Sequence, residues 1–308
     1  MSMRLDPVSE SIIRVLDERF HGLGEVSISE IRQRMVPPPA SEWTGIETVE
    51  DVTLRSGGSD LRLRVYRPVL AEAAAILFLH GGGWVIGNLD SQDATCRRLA
   101  VRTAMVVVSV DYRLAPEHRF PAPVDDALAA LEWARAHAQE LKIDPSAIAI
   151  AGTSAGANIA AGCTIAARSR GIPGPRYQIL AYPIVDCDFD TGSYRANRVG
   201  FGITRDHLIW FWDQYAPDRR QRTDPRAAPL RAPDLSELPP AVVVTAEFDP
   251  LRDEGENYAA RLRHAGVAAL SVRFNGMFHG FLEATGSLSA ADAAFDLIAE
   301  QVRAAVFA

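Results

Sequence analysis

Short apolar runs that alternate with helical segments are the feature that most constrains the fold of this chain. The runs are apolar or mostly apolar, and they lie at 75–79, 105–110, 147–151, 177–181, 241–245 and 268–274. Such runs are typical of strands buried on both faces of a parallel sheet. Segments with helical periodicity separate them, at about 92–103, 124–140, 155–168, 251–265 and 289–305. The alternation predicts an α/β fold with a doubly wound, mostly parallel sheet of about eight strands flanked by helices.

Three other segments break this alternation. Residues 7–36 place apolar side chains at helical spacing before Pro37–Pro39, which predicts an amphipathic helical preface. Residues 46–67 alternate apolar and polar side chains around a Ser-Gly-Gly-Ser turn, which predicts an antiparallel hairpin at a sheet edge. The connection 182–238 is too long for a simple crossover and contains an aromatic helix at 206–215, so it is a candidate lid.

Charge and length limit the classes of function. The chain has 308 residues, of which 48% are hydrophobic, so it can bury a large core. Its net charge is -7, and no basic stripe is present to neutralise phosphates, so no nucleic-acid partner is expected. Lys142 is the single lysine in an arginine- and alanine-rich chain, a composition typical of a GC-rich bacterial genome.

The cysteines and the first residues indicate the compartment. Cys96, Cys163 and Cys187 are odd in number and lack metal-ligand spacing, so neither a disulfide framework nor a metal site is expected. The first residues are charged where a signal peptide needs an apolar core, and no apolar run is long enough to span a membrane. These features predict a cytoplasmic protein.

The pentapeptide Gly152–Gly156 lies between a predicted strand and a predicted helix. Its sequence, Gly-Thr-Ser-Ala-Gly, has the pattern of a nucleophile elbow, in which small neighbours let Ser154 occupy a sharp strand-to-helix turn. The N–H group of Ala155 and the helix dipole would then stabilise an oxyanion. By itself, the pattern suits equally well a serine that caps the helix N-terminus.

A run of three glycines, within His80–Trp84, follows the first strand of the alternating region. Consecutive glycines allow main-chain N–H groups to turn toward a ligand, so those of Gly82 and Gly83 are predicted to form an oxyanion hole with Ala155. A phosphate-binding loop does not fit. A Walker loop needs Gly-Lys-Ser/Thr, and a dinucleotide motif needs a small residue where Ile86 stands.

Two more polar residues follow predicted strands. Asp249 comes after the strand at 241–245, and His279 comes after the strand at 268–274 in a glycine-containing loop. The carboxyl ends of parallel strands share one edge of a sheet, where a histidine base can reach Ser154. Asp249 also suits a helix N-cap, a role that is compatible with catalysis. The order serine, aspartate, histidine along the chain is a known order of a catalytic triad.

Together these motifs resemble the hormone-sensitive-lipase-like family of α/β-hydrolase esterases. The resemblance spans nearly the whole chain and is carried by five motifs in the family's order, namely His80–Trp84, Asp111–His118, Gly152–Gly156, Asp249–Asp253 and His279–Phe281. It implies a carboxylesterase with a Ser154–His279–Asp249 triad that needs neither a metal nor an organic cofactor. Thr153 stands where many members carry aspartate, and a threonine branch of the family is known.

The resemblance also implies how the chain is divided. Helical cap segments at 1–45 and 186–237 would cover a core formed by 46–185 and 238–308. Aromatic residues near the motifs or in the cap are candidates for the substrate pocket, with core packing as an equal alternative, and they are Trp84, Phe201, Phe211, Trp212 and Phe281.

The expected substrate is a small ester with a short- to medium-length acyl chain. An amidase or N-deacetylase that uses the same triad is the alternative within enzymes. A non-catalytic small-ligand-binding protein on the same fold is the alternative from another class, and the presence of both Ser154 and His279 disfavours it. The sequence leaves open whether the chain forms a homodimer.

Overall fold

A central sheet of eight strands organises the computed structural model, which describes residues 5, 7–34, 44–284 and 286–307. Within these ranges the strands are β1 (Ile46–Ser56), β2 (Ser59–Pro68), β3 (Ala75–Leu79), β4 (Val106–Val110), β5 (Ile148–Thr153), β6 (Gln178–Ala181), β7 (Ala241–Phe248) and β8 (Ala269–Phe278). Their order across the sheet is β1-β2-β4-β3-β5-β6-β7-β8. β1 and β2 form the predicted antiparallel edge hairpin, and β3 to β8 are parallel.

Helices cover both faces of this sheet. The helices are α1 (Pro7–Phe20), α2 (Ile28–Gln33), α3 (Asp93–Thr103), α4 (Ala122–Ala136), α5 (Ala138–Leu141), α6 (Ala155–Ser169), α7 (Gly192–Ala196), α8 (Arg205–Tyr215), α9 (Arg252–His264) and α10 (Ser289–Val306). α3 and α10 pack on one face, whereas α4, α6 and α9 pack on the other. Every residue of β3 is buried, as expected for a strand between two helical layers. The predicted fold class is therefore confirmed.

The element boundaries differ from the predictions in two places. The helix predicted at 124–140 is interrupted at His137, whose backbone leaves the helical region and separates α4 from α5. The last strand continues beyond 274 to Phe278 because β8 stays paired with β7 up to that residue, across a register shift. The N-terminal preface forms two helices, and Pro37–Pro39 lie outside the described residues.

The strand order reverses at β3, and this reversal positions the site. From β3 the chain moves to β4 on one side and then returns to β5 on the other. The loops that follow β3 and β5 therefore diverge and open a crevice at the carboxyl edge of the sheet, where α/β proteins bind their ligands. Because Leu79 is in register with Gly152, the glycine run lies beside the pentapeptide that contains Ser154.

Close packing explains the glycine at the start of α6. A Cβ atom at Gly156 would overlap the carbonyl oxygens of Leu79 and His80, so a larger residue would push α6 away from β3. α6 is buried along nearly its whole length and consists largely of alanine and glycine. Within the described residues, no helix combines the length and apolarity needed to cross a membrane.

Candidate active site

Ser154 occupies a strained turn between β5 and α6. Its φ and ψ angles are 54° and -119°, a conformation that residues other than glycine rarely adopt. The Ser154 N–H group donates to the Ala181 carbonyl at 2.9 Å, and its own carbonyl accepts from the Asn158 N–H group at 3.1 Å. Neighbouring β6 and the first turn of α6 thus fix the backbone that presents the Ser154 hydroxyl. This is the geometry of a nucleophile elbow.

His279 lies between Ser154 and Asp249. Its Nε2 atom is 3.0 Å from Ser154 Oγ, and its Nδ1 atom is 2.8 Å from Asp249 Oδ2. All three are buried, with exposed fractions of 6% for Ser154, 8% for His279 and 0% for Asp249. With Nδ1–H donating to the carboxylate, Nε2 is left as the acceptor for the serine hydroxyl proton. The structure therefore brings together the three residues that the sequence singled out.

The Asp249 carboxylate has a second hydrogen bond that fixes its orientation. Its Oδ1 atom accepts from the Leu251 N–H group at 2.8 Å, so Oδ2 remains directed at His279. The side-chain amide of Asn197 donates to the backbone carbonyls of Glu247 and Asp249, at 3.2 and 3.1 Å. Asn197 belongs to the long insert, so the insert braces the loop that carries the acid. Asn197 was not predicted, because no local pattern marks a contact between segments 50 residues apart.

Gly82 and Gly83 present backbone conformations that favour glycine. Their φ angles are 119° and 57°, and both residues line the cavity that contains Ser154. Their N–H groups donate to no acceptor among the described residues. Ala155 is the first residue of α6, whose opening N–H groups have no partner within the helix. These three donors are thus available to an oxygen held near Ser154.

Hydrogen bonds from other segments of the chain hold the loop that carries these glycines. The Tyr112 hydroxyl donates to the His80 carbonyl at 2.8 Å, and the Ala115 N–H group donates to the Trp84 carbonyl at 2.9 Å. From α2, the Arg32 guanidinium donates to the Val85 carbonyl at 2.8 Å. The rigid support is what a preorganised set of N–H donors requires.

The cavity above Ser154 lies between the sheet edge and the helical segments. Its volume is about 60 Å³, and its apolar wall includes Leu16 and Phe20 from α1 together with Ile203 and Phe211 from the insert. Of the five aromatic residues predicted for the pocket, Phe211 is the one that the cavity lining includes within the described residues.

The other four aromatic residues pack elsewhere, which corrects their assignment to the pocket. The Trp84 ring stacks on Tyr215 at 4.2 Å between centroids, and its Nε1–H donates to Asn158. Trp212 packs edge-on against Trp84, and both tryptophans have no exposed surface.

Phe201 and Phe281 complete this correction. Phe201 stacks on Phe248 at 4.8 Å between centroids. Phe281 is fully buried and lies 6.0 Å from the Tyr182 ring. Phe281 thus packs behind the cavity wall. The position of Phe201 and Phe281 near the motifs in the sequence did not reveal the direction in which their rings point.

Glu254, in the first turn of α9, is a buried carboxyl group near Asp249. Only 1% of Glu254 is exposed, and its Oε1 atom accepts from the N–H groups of Val185 and Asp186 at 2.7 and 3.2 Å. Its burial raises the pKa well above the ordinary value of 4.5, although both N–H groups oppose this shift. The pattern of a helix's first turn does not reveal such burial.

Glu254 makes the stability of the protein depend on pH. Because its pKa is higher in the folded state, the folded state binds more protons, and stability falls as the pH rises above about 4.5. We expect Glu254→Gln, which keeps the acceptor oxygen, to flatten this fall and to be more stable than the wild type at pH 8. The substitution should reduce the slope of the unfolding free energy against pH by at most about 1.4 kcal/mol per pH unit. Urea unfolding between pH 5 and pH 8 measures this slope. The exposed Glu132→Gln is the control, and parallel curves for Glu254→Gln and wild type would contradict the assignment.

Metal ligation has no evident site in the part of the chain that the structure describes, since no group of three or more His, Cys, Asp or Glu side chains converges there. The three cysteines are free thiols, and Cys96 and Cys163 are buried.

Comparisons with known proteins agree with this geometry. Residues 76–283 match the family described as having the alpha/beta hydrolase fold. Carboxylic ester hydrolase LipN of Mycobacterium tuberculosis is 44% identical over 242 residues, which are 76% of this chain and 64% of that protein. Carboxylesterase NlhH of the same species is 38% identical over 90% of this chain and 89% of its own length. A solved hyperthermophilic esterase from the archaeon Pyrobaculum calidifontis superposes with a TM-score of 0.90 at 39% identity, covering 99% of this chain and 100% of that one.

Proposed function

We propose that Ser154, His279 and Asp249 carry out catalysis in this chain, which belongs to the α/β-hydrolase fold family and is a carboxylic ester hydrolase of the hormone-sensitive-lipase-like type. The observation that carries the proposal is the continuous hydrogen-bonded path from Ser154 Oγ through both ring nitrogens of His279 to Asp249. A nucleophile next to a base, which a third group orients, is the requirement for acyl transfer.

The reaction proceeds through an acyl-enzyme. Ser154 Oγ attacks the ester carbonyl carbon while His279 Nε2 takes the hydroxyl proton, and Asp249 stabilises the imidazolium that forms. Collapse of the tetrahedral intermediate breaks the bond to the alcohol oxygen, and His279 returns the proton to that oxygen. Water then repeats the cycle at the acyl carbon and frees Ser154.

The N–H groups of Gly82, Gly83 and Ala155 form the proposed oxyanion hole. Two observations support this assignment: Gly82 and Gly83 line the cavity with Ser154, and Ala155 directly follows Ser154 at the start of α6. Removal of one such donor typically costs about 3 kcal/mol of transition-state stabilisation.

The helical segments at 1–45 and 186–237 act as a cap that limits substrate size. Side chains from both segments, including Phe20 and Phe211, contribute to the cavity wall, which supports this division. The cavity is narrow, with a volume of about 60 Å³. The proposed substrates are therefore small esters with short acyl chains.

The proposed location of the protein is the cytoplasm. Its three free thiols support a reducing compartment.

A p-nitrophenyl ester series and an active-site label test these proposals. We expect kcat/KM to be highest for the acetate to butyrate esters and at least about tenfold lower for the decanoate, because each added methylene must fit the same narrow cavity. A fluorophosphonate probe should modify Ser154 alone, as located by peptide mapping. A label on another residue would refute the triad, and equal rates up to the decanoate would refute the size limit. The p-nitroanilide analogues measure amide hydrolysis by the same site.

A further inference from the structure

One wall of the cavity above Ser154 is polar, and Gln92 is its most informative residue. Gln92 directly precedes α3, lines the cavity and is 4% exposed. Its Oε1 atom accepts no hydrogen bond from the described residues. Ser91, which also lines the cavity, differs because its hydroxyl exchanges hydrogen bonds with the Asn88 backbone at 2.8 and 3.0 Å. The Gln92 amide oxygen is therefore a buried acceptor, in a residue of the cavity wall, that lacks a donor among the described residues.

Glu283 contributes a second acceptor to the same wall. It lines the cavity from the turn Phe281–Ala284, and its carboxyl group interacts with the Gln92 side chain. Within the described residues, neither Arg19 nor Glu283 forms a direct ion pair, although both border the cavity. Thus the carboxylate is not consumed by a structural salt bridge.

The contact with Glu283 accounts for the side-chain NH₂ group of Gln92, and it leaves the Gln92 amide oxygen unexplained. A buried amide oxygen without a donor destabilises the folded state, and an apolar side chain of similar size would avoid that cost. A residue that costs stability at a site wall is typical of a binding role. The pair of acceptors formed by Gln92 and Glu283 is suited to a ligand group that donates hydrogen bonds.

The position of this wall relative to His279 indicates which part of the ester it contacts. The leaving alcohol must lie within reach of His279 Nε2, because that atom returns the proton to it. Glu283 lies in the turn that follows His279, and both residues line the cavity. The polar wall therefore faces the alcohol arm.

We propose that Gln92 and Glu283 form a subsite for an alcohol arm that carries a hydroxyl group, so that the preferred substrates are short-chain monoesters of small diols or polyols. The inference rests on the proposed function of Ser154. A neutral hydroxyl matches the two acceptors, whereas an ammonium group meets the opposed charges of Glu283 and Arg19 on the same cavity and gains no net attraction from them. One hydrogen bond of this kind raises kcat/KM by about tenfold.

Propyl acetate and 2-hydroxyethyl acetate test the subsite, because they differ by one methyl group replaced by a hydroxyl. We expect the wild type to favour the hydroxylated ester by about tenfold in kcat/KM, after division by the two rates of hydroxide-catalysed hydrolysis. Gln92→Met, which keeps the side-chain length but removes the acceptor, should bring this ratio close to one. Glu283→Met, which removes the acceptor oxygens, should also lower it and serves as the second variant if Gln92→Met does not fold.

Controls separate the subsite from the reaction itself. Gln139→Met, on the exposed face of α5, should keep the wild-type ratio. Equal ratios for wild type and Gln92→Met would overturn the subsite while leaving the esterase intact, whereas failure to hydrolyse either acetate would overturn the proposed function. Ethyl 3-hydroxypropanoate and ethyl butanoate make the same comparison on the acyl side. A preference for the hydroxylated ester of this pair, with no preference between the two acetates, would overturn the alcohol-arm assignment. Faster hydrolysis of cationic 2-(dimethylamino)ethyl acetate would overturn the choice of a neutral hydroxyl.

Discussion

Ser154→Ala is expected to lower kcat for p-nitrophenyl butyrate by at least about ten-thousand-fold, while the protein stays folded. Alanine removes the only oxygen that lies 3.0 Å from His279 Nε2 among the described residues, so no acyl-enzyme can form. Residual hydrolysis would come from water attacking a carbonyl that the N–H donors still polarise. Initial rates measured with enzyme freed of contaminating esterases, together with the thermal midpoint, give both quantities.

Ser169→Ala is the matched control for this variant. It removes a serine hydroxyl from the last turn of the same helix, where Ser169 donates to the Ala166 carbonyl at 2.9 Å. Its kcat should equal that of the wild type. Undiminished hydrolysis by Ser154→Ala would show that another group is the nucleophile.

Asp249→Asn is expected to reduce kcat by about ten-thousand-fold at neutral pH. The asparagine amide cannot both accept from Leu251 N–H through one atom and accept from His279 Nδ1–H through the other. Its NH₂ group would face Nδ1 and favour the tautomer that carries its proton on Nε2. That tautomer cannot accept the Ser154 proton. The measurement is kcat against pH, with circular dichroism as the test of folding.

Asp253→Asn serves as the control for the choice of carboxylate. Asp253 lies in the first turn of α9, where its Oδ2 atom accepts from the Ser193 N–H group at 2.7 Å and Oδ1 pairs with Arg252. The substitution should cost some stability and leave kcat within a few-fold of wild type, because Asp253 has no contact with His279. If Asp253→Asn loses activity and Asp249→Asn keeps it, the acid of the triad has been misassigned.

Local sequence patterns predicted the strands that lie in the interior of the sheet. The apolar run at 75–79 is a strand because a chain segment without polar side chains has to be covered on both faces. The break at His137 and the extension of β8 to Phe278 were not predicted. Both depend on backbone conformation and on pairing with a distant strand, which a window of neighbouring residues does not contain.

The aromatic residues show the same division. Trp84 and Phe211 both suggested a pocket, yet Trp84 is stacked on Tyr215 in the core and Phe211 faces the cavity. Large apolar side chains satisfy either environment, so composition cannot separate them. The polar residues Glu254 and Gln92 were missed for a similar reason. Each matters because it is buried, and neither belongs to a recognisable motif.

The sequence by itself determined the fold class, the elbow at Ser154 and the order of serine, aspartate and histidine, because strict local geometry requires particular residues at these positions. Glycine is needed where Gly156 meets β3, and a strand end is needed before each polar residue. Only the tertiary structure decided which side chains border the cavity, how Asn197 braces the acid loop and which wall is polar. These properties depend on distances between segments remote in the chain, and those distances exist only after the core has packed.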